Sequence, residues 1–354
     1  MRRESPEPCG LKAVVLAAGM GSRMNPLTSE RPKHLLPVAG EPVLRRTVRT
    51  LLDLGAEEVH IVVGYLAERV ISALSEFGRD RVKFPRQEAP LGTAHALLAA
   101  GAAVSKERRF LLVYGDVTIR PEPVKRLVET VESGHLDGGL LGVIRHDPWR
   151  FGTLLVRDGV LQGILEKSKD VRPPALVNAG IYLLPGEVVE VARAVERSPR
   201  GEYELTDAVV GLARRGRRIA VVGDPGEWWY DLGGPSELLR ANVETLEREL
   251  GERSAIGRGA VIGGNASVQT SFVGEGAVVG DGSTVELSVV MGSASVGRSS
   301  RLSRTLLLEG ARVGEGSRLL NCILGPGSSV PEGVELEGDP LNPIVVPPHA
   351  TYRP

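Results

Sequence analysis

Cysteine is nearly missing: Cys9 and Cys322 are the only two in 354 residues. So distant a pair has no metal-ligand spacing and builds no disulfide framework, which fits a reducing compartment. A net charge is missing as well. Against 44 Asp and Glu stand 43 Lys and Arg, for a formal charge of −1, so no partner held by bulk charge is expected, neither nucleic acid nor membrane surface. The opening "MRRESPEPCG" carries basic residues but no apolar run behind them. Neither a signal peptide nor an anchor is expected, and the expected location is cytoplasmic. Histidine is scarce too: His34, His60, His95, His135 and His146 are scattered without metal spacing, and His349 alone follows them.

What is present is an ordinary globular balance, 42% hydrophobic and 25% charged. The length implies more than one domain and a core that needs no staples. Residues 11–240 alternate strand and helix patterns. "KAVVLAA" and "EVHIVVG" are apolar runs short enough for buried parallel strands, while "VLRRTVRTLLDLG" has helical spacing and stops at Gly55. Later pairs continue the order, among them "TAHALLAAGAAV" then "RRFLLVYGD", and "PVKRLVETVESG" then "GGLLGVI". The expected fold class is therefore α/β: a Rossmann-like, mostly parallel sheet with helices on both faces. Ligands of such sheets sit at the carboxyl ends of the strands.

From Ile256 the period changes. Steps of 6, 6 and 5 land on Ile256, Ile262, Val268, Val273, Val279, Val285, Val290, Val296, Leu302, Leu307, Val313, Leu319, Leu324, Val330 and Leu336, all aliphatic. Two residues before every third member stand Ser271, Ser288, Thr305 and Cys322, all small. Gly follows many of the aliphatic positions. This is the pattern of a hexapeptide-repeat parallel β-helix, one inward aliphatic residue per face and three faces per coil. The segment resembles the left-handed β-helix domains of acyltransferases and nucleotidyltransferases. The expected division is 11–250, then a β-helix over 254–337, then a tail over 338–354 too rich in proline to continue the coils.

The first strand runs into "LAAGMGSRMNPLTSERPKHLLPVAG". Gly19 and Gly21 suit open backbone whose N–H groups approach phosphate oxygens, and Pro26, Pro32 and Pro37 interrupt helices. Arg23 and Lys33 offer cations to the same polyphosphate. A dinucleotide fingerprint fits only in part, since Met24 stands at its third glycine, and no Walker lysine motif is present.

The wider string resembles the signature of sugar-phosphate nucleotidylyltransferases, and other motifs of that family follow in order over residues 12–250. They are "QEAPLGTAHA", "VYGDV", "FGTL", "ILEKS", "NAGIYLL", "GEYELTDAV" and "WWYDLGGPSELLRAN". The resemblance implies transfer of a nucleotidyl group from a nucleoside triphosphate to a sugar 1-phosphate. It places Leu16, Ala17, Ala18 and Gly19 on the nucleoside, Gly21, Ser22 and Arg23 around the phosphates, and Lys33 near the reacting centre. It puts Gln87, Gly92, Thr93 and Gly115 on the nucleotide as well. It puts Asp116 and Asp231 on Mg²⁺, and Gly152, Glu166, Lys167 and Asn178 on the sugar phosphate. Two repelling anions must meet, so positioning and charge neutralisation are expected to carry the catalysis, by Arg23, Lys33 and the Mg²⁺ that Asp116 and Asp231 would hold. Ser22 stands where the family usually has Thr, Ser168 where Pro is common and Gly234 where Thr is common. None of these departures removes a charge.

Gln87 carries both a donor and an acceptor, matching N3–H and a carbonyl of uracil or thymine, so UTP or dTTP is expected over GTP. The sugar stays open between glucose and N-acetylglucosamine types. Three alternatives are a GTP:mannose-1-phosphate guanylyltransferase, a bifunctional enzyme with acetyl transfer in the β-helix, and a non-catalytic regulatory subunit. The second needs a general base, and His349 is the one histidine in that half. The third conflicts with the presence of Arg23, Lys33 and Asp116. A β-helix also suits symmetric packing, so a homo-oligomer, a trimer or a multiple of one, is expected.

Overall fold

The computed structural model describes residues 10–353. Cys9 and the opening stretch lie outside the described residues. The described residues pack into two compact units that do not follow the linear order: one holds residues 10–20 and 44–229, the other holds 21–43 and 230–353.

The first unit is built on a nine-stranded sheet. Its strands are β1 (Leu11–Ala17), β2 (Ala56–Val63), β3 (Val82–Lys83), β4 (Phe110–Tyr114), β5 (Gly138–Arg145), β6 (Gly152–Arg157), β7 (Val160–Glu166), β8 (Ala175–Leu184) and β9 (Ile219–Asp224). Their order is β3-β2-β1-β4-β8-β5-β9-β7-β6. β3, β2, β1 and β4 are parallel, as the apolar runs with helices between them require. Val14, Val62 and Leu112 are wholly buried, as strands covered on both faces demand. Beyond β4 the sheet becomes mixed. β8 runs antiparallel between β4 and β5, and the hairpin β6–β7 closes the far edge. The helices of this region are α1 (Val43–Asp53), α2 (Ala67–Ala73), α3 (Thr93–Val104), α4 (Pro121–Ser133), α5 (Val188–Arg193) and α6 (Leu205–Arg214). No helix among the described residues is long and apolar enough to cross a membrane.

The second unit contains the segment 21–43, α7 (Pro235–Leu250) and a parallel β-helix. Three sheets of two- and three-residue strands form its faces, stacked in parallel at a spacing of one coil. From Val273 to Leu336 the predicted inward aliphatic residues are buried in one cluster. Ile256 and Ile262 in the first coil stay 48% and 37% exposed, since no coil stacks beneath them. The small column has a hydrogen-bonding reason. Ser288 N–H donates to Ser271 Oγ (3.1 Å), and Thr305 N–H donates to Ser288 Oγ (3.0 Å), each bond 17 residues long. The hydroxyls in turn donate within their own coils, Ser271 to Gln269 O (2.6 Å) and Ser288 to Glu286 O (2.6 Å). Buried corner amides are thereby satisfied. Cys322 ends the column, and burial pushes its thiol up to about 12.

The proline-rich tail departs from expectation, because it continues the coils. Ile344–Val346 pairs in parallel with Cys322–Leu324, and Thr351 bridges to Ser329. Pro343 and Pro347 flank the strand without entering it, and three residues suffice on a face this narrow. Val346 is buried in the β-helix core. Val346→Ala should lower the stability of the β-helix by about 2 kcal/mol, the worth of two buried methyl groups plus the gap they leave. A denaturant midpoint unchanged from wild type would mean the tail is not packed.

Candidate active site

In the first unit β1 delivers the chain to the carboxyl edge of the sheet. Leu16 and Ala17 are buried, and Leu16 O accepts from Gly115 N–H (2.9 Å) across to the end of β4. Their side chains therefore belong to the core. Gly19 is exposed, and a Cβ there would meet nothing within 4 Å. The protein itself does not demand glycine at that position, which leaves the open space to a ligand.

Beside it lies a cleft of about 230 Å³ lined by Ala18, Met20, Tyr65, Arg86, Gln87 and Glu88, with others. The Gln87 amide is oriented by its surroundings. Nε2 donates to Gly92 O (3.1 Å), which only an N–H can do, and lies 3.0 Å from His95 Nδ1. Both amide protons are therefore committed, and His95 Nδ1 accepts, which places the imidazole proton on Nε2. No donor among the described residues reaches Oε1. Gln87 thus presents one acceptor and no donor, half of what its side chain can offer in isolation.

Gly92 has φ 110°, and a Cβ there would stand 2.5 Å from Tyr203 O. A side chain is excluded on both counts. This close approach joins two motifs distant in sequence. Tyr203 N–H donates to Leu91 O and Ala94 N–H to Tyr203 O, both at 2.8 Å. Thr93 Oγ1 then accepts from Leu205 N–H (2.8 Å), capping α6 from the first turn of α3.

Thr93 also begins a chain of polar groups that runs into the sheet. Its hydroxyl meets that of Tyr114. Tyr182 Oη donates to Tyr114 Oη (3.3 Å), and Asn178 Nδ2 donates to Tyr182 Oη (2.5 Å). Asn178 Oδ1 accepts from Gly180 N–H (3.0 Å) at a break in register between β8 and β5. Such bulges turn side chains out of the strand alternation. Burial, before any other cause, pushes both tyrosine hydroxyls above their ordinary range, so they stay neutral donors. Tyr114 and Tyr182 stand inside the motifs "VYGDV" and "NAGIYLL", and only the structure reveals their part.

On the hairpin β6–β7, Gly152 faces Glu166 in register, and a Cβ at Gly152 would stand 2.8 Å from Glu166 Oε1. Gly152 makes room for that carboxylate. Arg200 Nη2 lies 3.5 Å from Glu166 Oε2 and donates to Glu204 Oε1 at 2.7 Å. Arg200 is another residue the sequence reading passed over, in "SPRGEYELTD". Lys167 is exposed with φ 47°, left-handed backbone that costs a non-glycine residue roughly 1 kcal/mol. Asp116 is half-buried just past the end of β4.

The second unit holds the remaining candidates. Gly21 has φ 66°, and a Cβ there would stand 2.9 Å from Lys33 Cβ, so the turn and the lysine stem pack together. Thr28 Oγ1 donates to Gly21 O (3.0 Å) and closes the loop. Ser22 and Arg23 are exposed on it. A Cβ at Gly233 would lie 3.5 Å from both Arg23 Nη1 and Asp231 Oδ2, which brings that guanidinium and that carboxylate to one place. Asp231 is half-buried.

Burial also raises the Glu166 carboxyl above its ordinary 4.5, with Glu204 adding to it and Thr206, Arg200 and Lys167 opposing. The folded form then holds a proton that the unfolded chain has released, so this group costs stability as pH rises above 4.5. Glu166→Gln should therefore gain stability relative to wild type as pH is raised from below 4.5 to neutrality. Denaturation midpoints of the two proteins across that range measure it, and a difference independent of pH would contradict the shift.

Comparison with known proteins identifies the families of both parts of the chain. Residues 12–248 match the nucleotidyl transferase family, and residues 243–307 and 260–342 match the GlmU-like, C-terminal hexapeptide family, which makes the β-helix left-handed. The chain is 34% identical over 266 residues to the low-salt glycan biosynthesis nucleotidyltransferase Agl11 of Haloferax volcanii, covering 74% of this chain and 73% of that one. It is 33% identical over 244 residues to the UTP–glucose-1-phosphate uridylyltransferase AglF of the same organism, covering 67% and 97%. It is 31% identical over 262 residues to the bifunctional protein GlmU of Methanococcus maripaludis, covering 73% of this chain but 60% of that one. The first of these matches spans more than half of the chain, and the chain belongs to the nucleotidyl transferase family.

Proposed function

We propose that this protein transfers a nucleotidyl group from UTP or dTTP to a sugar 1-phosphate of the glucose or N-acetylglucosamine type, releasing pyrophosphate. The observation that carries this is the cleft beside Gly19 with Gln87 Oε1 as its acceptor. An acceptor held there suits N3–H of uracil or thymine. Guanine presents N1–H beside an exocyclic amine, two donors that a single neutral oxygen meets poorly. The names of Agl11 and AglF support the reaction class, and AglF's name supports UTP and glucose 1-phosphate.

In the reaction the sugar phosphate oxygen attacks the α-phosphorus in line. A new P–O bond forms and the bond to the β-phosphate oxygen breaks. Open backbone at Gly19 and the turn at Gly21 and Ser22 admit the triphosphate, Leu16, Ala17 and Ala18 contributing backbone beneath the nucleoside. Arg23 and Lys33 neutralise charge that grows on the phosphate oxygens. Gly92, Thr93 and Gly115 shape the nucleotide side. Lys167 holds the sugar phosphate, while Glu166 beside Gly152 and Asn178 accept or donate to sugar hydroxyls. Asn178 keeps one N–H and one lone pair for this, because the other of each is spent on Tyr182 and Gly180.

Asp116 and Asp231 each offer the hard carboxylate oxygen that Mg²⁺ takes, and they would hold the ion, with water and phosphate at its remaining positions. An ion held by these carboxylates would supply charge withdrawal from the phosphate oxygens. The second activity marked by the name "bifunctional" is said of GlmU and is outside this proposal. The β-helix also serves homo-oligomer assembly, as a trimer or a multiple of one.

A pyrophosphate-release panel of nucleoside triphosphates against glucose, galactose, mannose and N-acetylglucosamine 1-phosphates tests the assignment. Highest turnover is expected with UTP or dTTP, and equal turnover with GTP would refute the role of Gln87. Lys33→Ala and Asp116→Asn should each lower turnover on the order of 10²–10³-fold, the loss seen when one electrostatic stabiliser is removed. A variant with wild-type rate takes its residue out of the mechanism.

A further inference from the structure

The segment that carries Arg23 and Lys33 packs in one unit with the β-helix. Its only strand pairing is a hairpin of two-residue strands, Pro37–Val38 with Glu41–Pro42. Something else must hold it, and the β-helix surface shows what does. One face has an outward column of Phe272, Val289, Leu306, Ile323 and Val345, stacked in register from coil to coil. Outward positions on the neighbouring face are polar: Thr284, Arg301, Arg318 and Glu335. The apolar column is covered. Val289, Leu306 and Ile323 are at most 1% exposed, in one cluster with Met24, Leu27, Leu36 and Val38 of the segment and Leu238 and Leu239 of α7.

Polar contacts fix the register of this packing. Arg31, two residues before Lys33, forms a bidentate pair with Glu309 at a β-helix corner, Nη1 to Oε1 at 3.2 Å and Nη2 to Oε2 at 2.5 Å. Glu30 meets His349 at 3.2 Å. At the hairpin turn a Cβ on Gly40 would stand 2.5 Å from the Phe272 ring. Asn242, buried on α7, accepts from Ala39 N–H (2.8 Å) and donates to Pro37 O (2.9 Å). An apolar face alone is non-directional and permits sliding. A forked guanidinium on a carboxylate specifies one orientation.

We propose that the β-helix is the platform that positions the phosphate loop, and that Glu309 is a positioning residue for nucleotidyl transfer, acting through Arg31 on Lys33 and Arg23. The proposal rests on the reading of Lys33 as a phosphate ligand. Arg31 and Glu309 are engaged with each other, so their part is to hold the loop. Their pair is partly exposed, with side chains 20% and 41% accessible, so its worth to overall stability is small. Its worth lies in where the loop stands, since a misplacement of about 1 Å can cost on the order of 10²-fold in rate.

The test uses the full-length protein and pyrophosphate release. Glu309→Gln and Arg31→Gln should each lower kcat/KM for the nucleoside triphosphate roughly tenfold, part of that misplacement cost, with the KM for sugar 1-phosphate unchanged. The double variant Arg31→Gln/Glu309→Gln should be no worse than either single, because both break one link. Arg31→Lys, which keeps the charge and loses the fork, should fall between wild type and Arg31→Gln. Thermal midpoints within a few degrees of wild type show that the fold is intact. If the singles run at wild-type kcat/KM, or their losses add in the double, the pair does not position the loop. Lys33→Ala separates the two levels. A slow Lys33→Ala beside a wild-type Glu309→Gln overturns this inference alone, while a wild-type Lys33→Ala overturns the phosphate role of Lys33 and this inference with it.

Discussion

A row of aliphatic side chains pointing out of a β-helix cannot be left in water, and this constraint organises the second unit. Val289, Leu306 and Ile323 each lose on the order of 1.5–3 kcal/mol if exposed. The coils cannot cover them, since their inward positions are filled by a separate aliphatic column. Cover comes from α7 and from the segment that follows Gly21. A stretch with almost no secondary structure of its own thereby acquires a rigid backing. The consequence reaches the chemistry because the same stretch carries Arg23 and Lys33.

The first unit positions its groups differently. There the candidate residues stand at strand ends and on the first turn of a helix, and buried hydrogen bonds hold them. The run Thr93, Tyr114, Tyr182, Asn178 leaves little rotational freedom to any member, because each hydroxyl or amide is spoken for by its neighbour. Gln87 is locked in the same way by Gly92 O and His95. Such networks are costly when half-satisfied and rigid when complete. One site region is thus built on hydrogen bonds within a sheet edge, and the other on apolar docking with an ionic latch.

Much of this was legible in the residues. The steps of 6, 6 and 5 predicted the coils because each face of a β-helix admits one inward side chain, so the pattern is local and repeats. The apolar runs predicted the strands β1, β2 and β4 for a similar reason. The motifs from "LAAGMG" to "WWYDLGG" supplied the candidate residues, and the family match over residues 12–248 agrees with the family they suggested. The tail differs from its expectation because the density of proline hides a short strand. The three residues between Pro343 and Pro347 were enough to make a strand, and an existing edge at Cys322–Leu324 was there to receive it. The outward column Val289, Leu306, Ile323 was readable one position before each inward residue, yet its meaning depended on what lay opposite.

By itself the sequence determined periodicity and chemistry: which residues face inward in each coil, which strands are buried, and which cations and carboxylates are available. These follow from local spacing and side-chain type. Tertiary structure alone decided that Gln87 offers an acceptor and no donor, that Gly152 exists to admit Glu166, and that the segment 21–43 leaves the sheet's unit for the β-helix. Each of these depends on a particular partner brought up by the fold, near in sequence for Gln87 (Gly92 and His95), farther for Gly152 (Glu166), and 278 residues away for Arg31 (Glu309). No local pattern encodes such a partner, because burial and hydrogen-bond satisfaction are settled only when the distant surface arrives.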